Sequence, residues 1–199
     1  SEAQRQRDES RSILMPNGVA LISEEHKPVA HLLRQAYFLG RDGDIDAARS
    51  LLVDARRLDP EFFEVPRMEA VVEARHRPER AVELYREAYE FAPDDQKGRV
   101  AYFHAGLLMS ILKMPELAEP LAEEAHASLN LAETAVRLAQ VRIALGRFES
   151  ASELLEYAVQ NATDERTSTI ARTQLARSAG RHVERLSRNG NTAEAIAVG

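Results

Sequence analysis

The sequence predicts an all-α fold, an array of about four and a half helical hairpins, and three observations carry that expectation. Alanines seven apart recur as Ala48 and Ala55, Ala81 and Ala88, Ala118 and Ala125, and Ala151 and Ala158, at a period of 33 to 37 residues. Two small residues at that spacing stand on one helix face, about two turns apart, and let a neighbouring helix approach closely. Upstream of each pair lies a second segment, "VAHLLRQAYFLG", "VPRMEAVVEAR", "VAYFHAGLLMSIL" and "TAVRLAQVRIAL", apolar at three-to-four spacing. Finally, the joint between the two segments carries a helix stop or start. Gly43 and Gly146 mark it in the first and fourth copies, Pro78-Glu79 and Pro115-Glu116 in the second and third.

Taken in order, residues 1–27 form an N-terminal extension or linker, partly extended. "SEAQRQRDES" is polar and has no signal-peptide character, and the chain reads as a piece of a longer protein. Within it "ILMPNGVALI", residues 13–22, sets apolar flanks around a Pro-Asn-Gly turn signal. Packing against the array is the favoured placement, ahead of a free linker or a small hairpin. Residues 28–163 hold the four copies. Large apolar residues complete the alanine faces: Leu51 and Leu52, then Val82, Leu84 and Tyr85, then Leu117 and Leu121, then Leu154 and Leu155. Residues 164–199 read as one long helix, with Ile170, Leu175, Val183 and Leu186 apolar, followed by a partial fifth hairpin or cap at "NGNTAEAIAVG", where Gly190 and Ala195 repeat the turn-to-alanine offset.

This pattern resembles the tetratricopeptide repeat (TPR) family, whose 34-residue unit pairs a helix A with a helix B. The small positions match at Ala36, Gly43, Ala48, Ala55 and the closing Pro60, with Pro93 closing the second copy, and at Gly106 and Ala139 in later helices A. Departures are the short second unit with its Pro66, an insertion at "DDQKGR" before the third, no tryptophan, and no closing proline in the third and fourth. The resemblance implies a right-handed α-solenoid of four to five hairpins whose ligands bind a concave groove lined by helices A. Carried over position by position, that groove comprises Leu33, Tyr37 and Arg41, then Val100, Phe103, Leu107 and Ser110, then Glu133, Val136, Gln140 and Ile143. Leu33 and Tyr37 stand where chaperone-binding members carry their carboxylate-gripping Lys and Asn, so an acidic chaperone tail is not the implied ligand. An apolar groove calls for cover: a partner's helix or peptide, a second copy, or residues 13–22. The implied role is a non-catalytic scaffold or sensor module that binds a protein or peptide. Self-association as a homo-oligomer, or a regulatory repeat region in a multidomain signalling enzyme, are the alternatives.

Composition narrows the classes further. The 199 residues carry 26 basic and 32 acidic side chains, a formal charge of −6, which gives no global pull toward nucleic acid or an anionic membrane. Cysteine is absent, which removes disulfides and thiolate metal sites and is compatible with a reducing cytoplasm, the expected location. No apolar run approaches the ~20 residues that span a bilayer. There is no Gly-rich phosphate loop, His-Glu-x-x-His or Gly-x-Ser-x-Gly; the six histidines lack ligand spacing, and Glu123, Glu124 and His126 do not share one face. No catalytic residue, metal or cofactor is therefore expected. Arg177, Arg181, Arg185 and Arg188, spaced 4, 4 and 3, form a basic stripe on the last helix. It suits an acidic partner or phosphates, or serves only as a solvated face tempered by Glu184.

Overall fold

The computed structural model describes residues 14–20 and 23–188, and nine α-helices span the latter range after a short 3-10 turn at Glu24–His26. The chain divides into two units, the first ending at Lys113 and the second beginning at Met114. The repeat start and stop signals act where the sequence puts them.

In unit one, α1 (Lys27–Asp42) stops at Gly43, whose φ of 96° is a left-handed conformation that an L side chain resists. Asp44 then caps α2 (Ile45–Leu58) by accepting from the Ala47 N–H at 3.2 Å. The next pair is α3 (Glu64–Glu73) and α4 (Pro78–Phe91). Pro66 sits in the first turn of α3, where a missing N–H is harmless, and Pro78 opens α4. The fifth helix, α5 (Asp94–Ser110), begins inside "DDQKGR", so the segment expected as an insertion is the opening of a lengthened helix A. Helix α3 packs against α1, α2 and α4, and α4 against α5, the neighbour-to-neighbour pattern of stacked hairpins.

Unit two contains α6 (Pro115–Leu129), α7 (Ala132–Ala144), α8 (Phe148–Asn161) and α9 (Glu165–Arg188). Asn130, at φ 48°, terminates α6, and Gly146, at φ 73°, turns the chain between α7 and α8. Asp164 caps the last helix through the Thr167 N–H at 2.9 Å. Helix α7 packs on α6 and α8, and α9 lies against both α8 and α7. Its most buried residues are Thr167, Ala171 and Ser178, while Ile170, Leu175, Val183 and Leu186 are half-buried. Small side chains bring the α9 backbone close to its neighbours, and the larger ones seal the margins. Residues 189–199, where the partial fifth hairpin was expected, lie outside the described residues.

All eight periodic alanines have no exposed surface. Each fills a place that a larger side chain would pry open, so the repeat in the sequence is a repeat of close helix contacts. The apolar core of unit one also takes in Val19 and Ala20 from the segment before α1. A smaller cluster of Ala132, Ala135, Val136, Ala139, Ala151, Leu155, Ala158 and Ala171 forms the core of unit two.

Candidate functional site

The helix-A face of unit one is formed by α1, α3 and α5, and the sequence-predicted groove residues distribute unevenly over it. Leu33 and Val100 have 0 % exposure. Their positions, expected to face a ligand, are absorbed into helix contacts: Leu33 lies in a buried stripe of α1 with Ala30 and Ala36, and Val100 in a buried run of α5 beside Arg99 and Ala101, so neither has surface to offer a partner. Phe103 and Leu107 are almost as enclosed, whereas Tyr37 is half-buried and Arg41 and Ser110 are exposed. In unit two Val136 is buried, and Glu133, Gln140 and Ile143 are half-buried.

Tyr37 and Arg41 meet in a cleft of about 300 Å³, together with Val71, Arg75, His76 and Ile111. Its lining combines apolar side chains with the exposed Arg41 and Arg75. Arg41 lies 5.0 Å from the centre of the Phe38 ring and donates to Asp42 at 2.9 Å. Pro16 lines the same cleft, so the segment before α1 reaches this face.

Beneath that segment lies a constellation the repeat alignment passed over. Glu64, Arg67 and Arg99 each have 0 % exposure. Glu64 pairs with both guanidiniums. Arg67 donates to the carbonyls of Pro16 at 3.2 Å and Gly18 at 2.6 Å, and Arg99 donates to Gly18 at 2.7 Å. The Ala20 N–H in turn donates to Glu64 at 2.8 Å. Both guanidiniums lie over the Phe103 ring, at 4.9 and 5.4 Å from its centre. Carbonyl oxygens of the segment supply further acceptors for both guanidiniums. Burial pulls the Arg99 pKa down to about 9 against the opposing pull of Glu64, which leaves it cationic at neutral pH. The available sequence signal was charge inside apolar runs, in "FFEVPRMEAVV" and "GRVAYF". The second copy's shortened alignment hid it.

A second charged group joins α2, α3 and the start of α4. Arg49 and Arg77 each grip the Glu73 carboxylate through two hydrogen bonds of 2.6 to 3.0 Å, and those bonds hold its pKa down to about 2. Arg56 bridges Glu69 and Glu87 nearby. These pairs tie helices together, and their partners are all within the chain.

On α9, Arg177, Arg181, Arg185 and Arg188 are all exposed. Arg185 donates to the Gly146 carbonyl at 2.6 Å and lies 6.0 Å from the Phe148 ring centre, and Arg188 pairs with Glu184. The stripe thus divides into an outward pair, Arg177 and Arg181, and a pair engaged within unit two. Among the described residues no group of three or more His, Asp or Glu is placed to hold a metal ion, and no helix is long and apolar enough to cross a membrane.

No protein-family model matches the chain, and no curated protein is similar to it in sequence. Solved structures are similar in fold. PilF of Pseudomonas aeruginosa superimposes with a TM-score of 0.64 at 20 % identity, over 88 % of this chain and 90 % of that one. MamA from Desulfovibrio magneticus RS-1, residues 41 to its end, gives 0.61 at 16 % identity, over 89 % and 93 %. At such identities the likeness is one of fold, and the fold it shows is the all-α, tetratricopeptide-like stack of helical hairpins.

Proposed function

We propose that the chain is a non-catalytic protein-interaction module that receives a peptide or protein segment on the helix-A face of unit one. The observation that supports this most directly is the cleft joining Tyr37, Val71 and Ile111 to Arg41, Arg75 and His76. Apolar side chains beside the Arg41 and Arg75 guanidiniums suit a segment that presents an apolar side chain beside a carboxylate. Capture of partners from the native host by the intact chain and by a Tyr37→Ala, Arg41→Glu variant tests the reading. A direct partner should be retained by the parent and weakened at least tenfold by the variant, with helicity unchanged. Equal retention by both would place the binding surface elsewhere.

Self-association is a second reading, supported by the exposed Met114 and Leu117 at the start of α6, at 42 % and 59 % exposure. Sedimentation velocity across the micromolar range checks it. A Leu117→Glu change should shift any concentration-dependent dimer back to monomer.

A further inference from the structure

We infer that unit two pairs with a second copy of itself, the acidic face of α8 in one copy lying along the basic outer face of α9 in the other. This rests on the self-association reading and gives it a different surface. Helix α8 carries Glu149, Glu153 and Glu156 and no basic residue. All three are exposed, and their spacings of 4 and 3 set them on one face. Helix α9 carries six arginines against two glutamates, in a chain whose formal charge is −6. The two helices pack against each other, yet their charges do not pair within the chain. Among the described residues Arg166, Arg172, Arg177, Arg181, Glu153 and Glu156 have no ion-pair partner, and Glu149 has only His182, at 3.9 Å.

The shape of α9 suits a neighbouring helix. Thr169, Thr173, Ala176 and Gly180 are exposed at spacings of 4, 3 and 4, a shallow line with Arg172 on one flank and Arg166, Arg177 and Arg181 on the other. Glycine inside a helix is destabilising relative to alanine. Nothing among the described residues requires it at Gly180, since no heavy atom lies within 4 Å of where a Cβ would stand. Small residues let a second helix approach to about 8 Å between axes. From Thr169 to Gly180 the line runs about 16 Å, and the glutamate face of α8 runs about 10 Å, so one α8 fits along it within reach of both arginine flanks. A surface that carries both faces is self-complementary under a two-fold axis, which makes the contact twice. The contact is charged on both sides, so it weakens as the screening length falls from about 10 Å at 0.1 M salt to about 3 Å at 1 M.

The experiment is sedimentation velocity of the full chain at ionic strengths of about 0.05 M and 0.5 M. Two variants are compared with the parent: Arg177→Glu, Arg181→Glu, which makes α9 acidic, and Glu153→Arg, Glu156→Arg, which makes α8 basic. The parent should dimerise at low salt, with a dissociation constant at least tenfold higher at high salt. Each variant alone should be monomeric, and an equimolar mixture of the two should restore the dimer, because each then meets its opposite on both faces. Should a reversed variant lose helicity, Arg177→Gln, Arg181→Gln takes its place and should weaken the parent dimer at least tenfold. A parent that stays monomeric at low salt overturns this contact and the self-association reading together, and leaves the outer face of α9 to an acidic helix of another protein. A dimer indifferent to both reversals, or lost in Leu117→Glu alone, keeps self-association and overturns this contact. Assemblies that grow beyond the dimer with concentration would mean head-to-tail repetition and overturn the two-fold pairing. None of these substitutions lies in the cleft of unit one, so capture of a partner there is judged separately.

Discussion

Units one and two are built from the same hairpin, with alanines in the same places, yet they treat their polar groups differently. Unit one buries Glu64, Arg67 and Arg99 completely and covers them with a segment from before its first helix. Among the described residues of unit two no charged side chain is buried so fully; its core is mostly alanine, closed by the long helix α9. Close packing of small residues makes the repeat, and that requirement leaves each unit free to differ where the alanines are not. Unit one uses the freedom to hold a polypeptide, and unit two uses it for another layer of helix.

The largest expected effect comes from breaking the buried charges. Glu64→Gln leaves two buried guanidiniums without their anion and should cost about 3–5 kcal/mol, read as a drop in the urea midpoint. A loss below about 1 kcal/mol would mean that the cluster is solvated in solution and the contrast between the units is small.

Acid should come next. His104 stacks on Tyr85, and burial first, then Arg86, lower its pKa to about 4 from an ordinary value of 6.5. Unfolding lets it take up a proton above pH 4, so its contribution is complete above pH 6.5 and is lost as pH falls toward 4. The loss should reach about 2–3 kcal/mol near pH 4.5. Denaturation midpoints at pH 7 and 4.5 test this, with His104→Leu expected to flatten the dependence. His126 in unit two is also lowered, by burial and then Arg142, so His126→Gln should remove a smaller share. Glu73 adds a separate loss below pH 4.5, as protonation releases Arg49 and Arg77.

The smallest effects separate the two glycine turns. Gly43→Ala and Gly146→Ala each force a left-handed residue and should cost about 1 kcal/mol. A methyl at Gly43 meets open space, whereas at Gly146 it would come within 2.5 Å of the Arg185 guanidinium. Gly146→Ala should therefore also loosen α9, seen as faster amide exchange there. Equal exchange in both variants would show that the Arg185 contact does not hold the helix.

Helix identity was legible because it rests on local physics. Gly43, Pro78, Pro115 and Gly146 start and stop helices wherever their neighbours lie, and alanines at a seven-residue spacing mark a close contact without naming what is contacted. The family pattern was enough to give Tyr37 and Arg41 a place on an accessible face, but it also assigned Leu33 and Val100 there. A position pattern does not say how wide a stripe each helix buries, and α1 buries one wide enough to take Leu33 in.

The sequence alone determined the hairpins, their order and their tightest contacts, because periodicity and turn chemistry act within a few residues. Only the tertiary structure decided that Glu64, Arg67 and Arg99 meet, since they come from two helices that hold Pro16, Gly18 and Ala20 from a segment up to 81 residues distant. Glu64 and Arg67 are neighbours on one helix, but Arg99, 35 residues from Glu64, carries no mutual signal with them in the chain. Their pairing depends on a buried environment in which each polar group must find a partner.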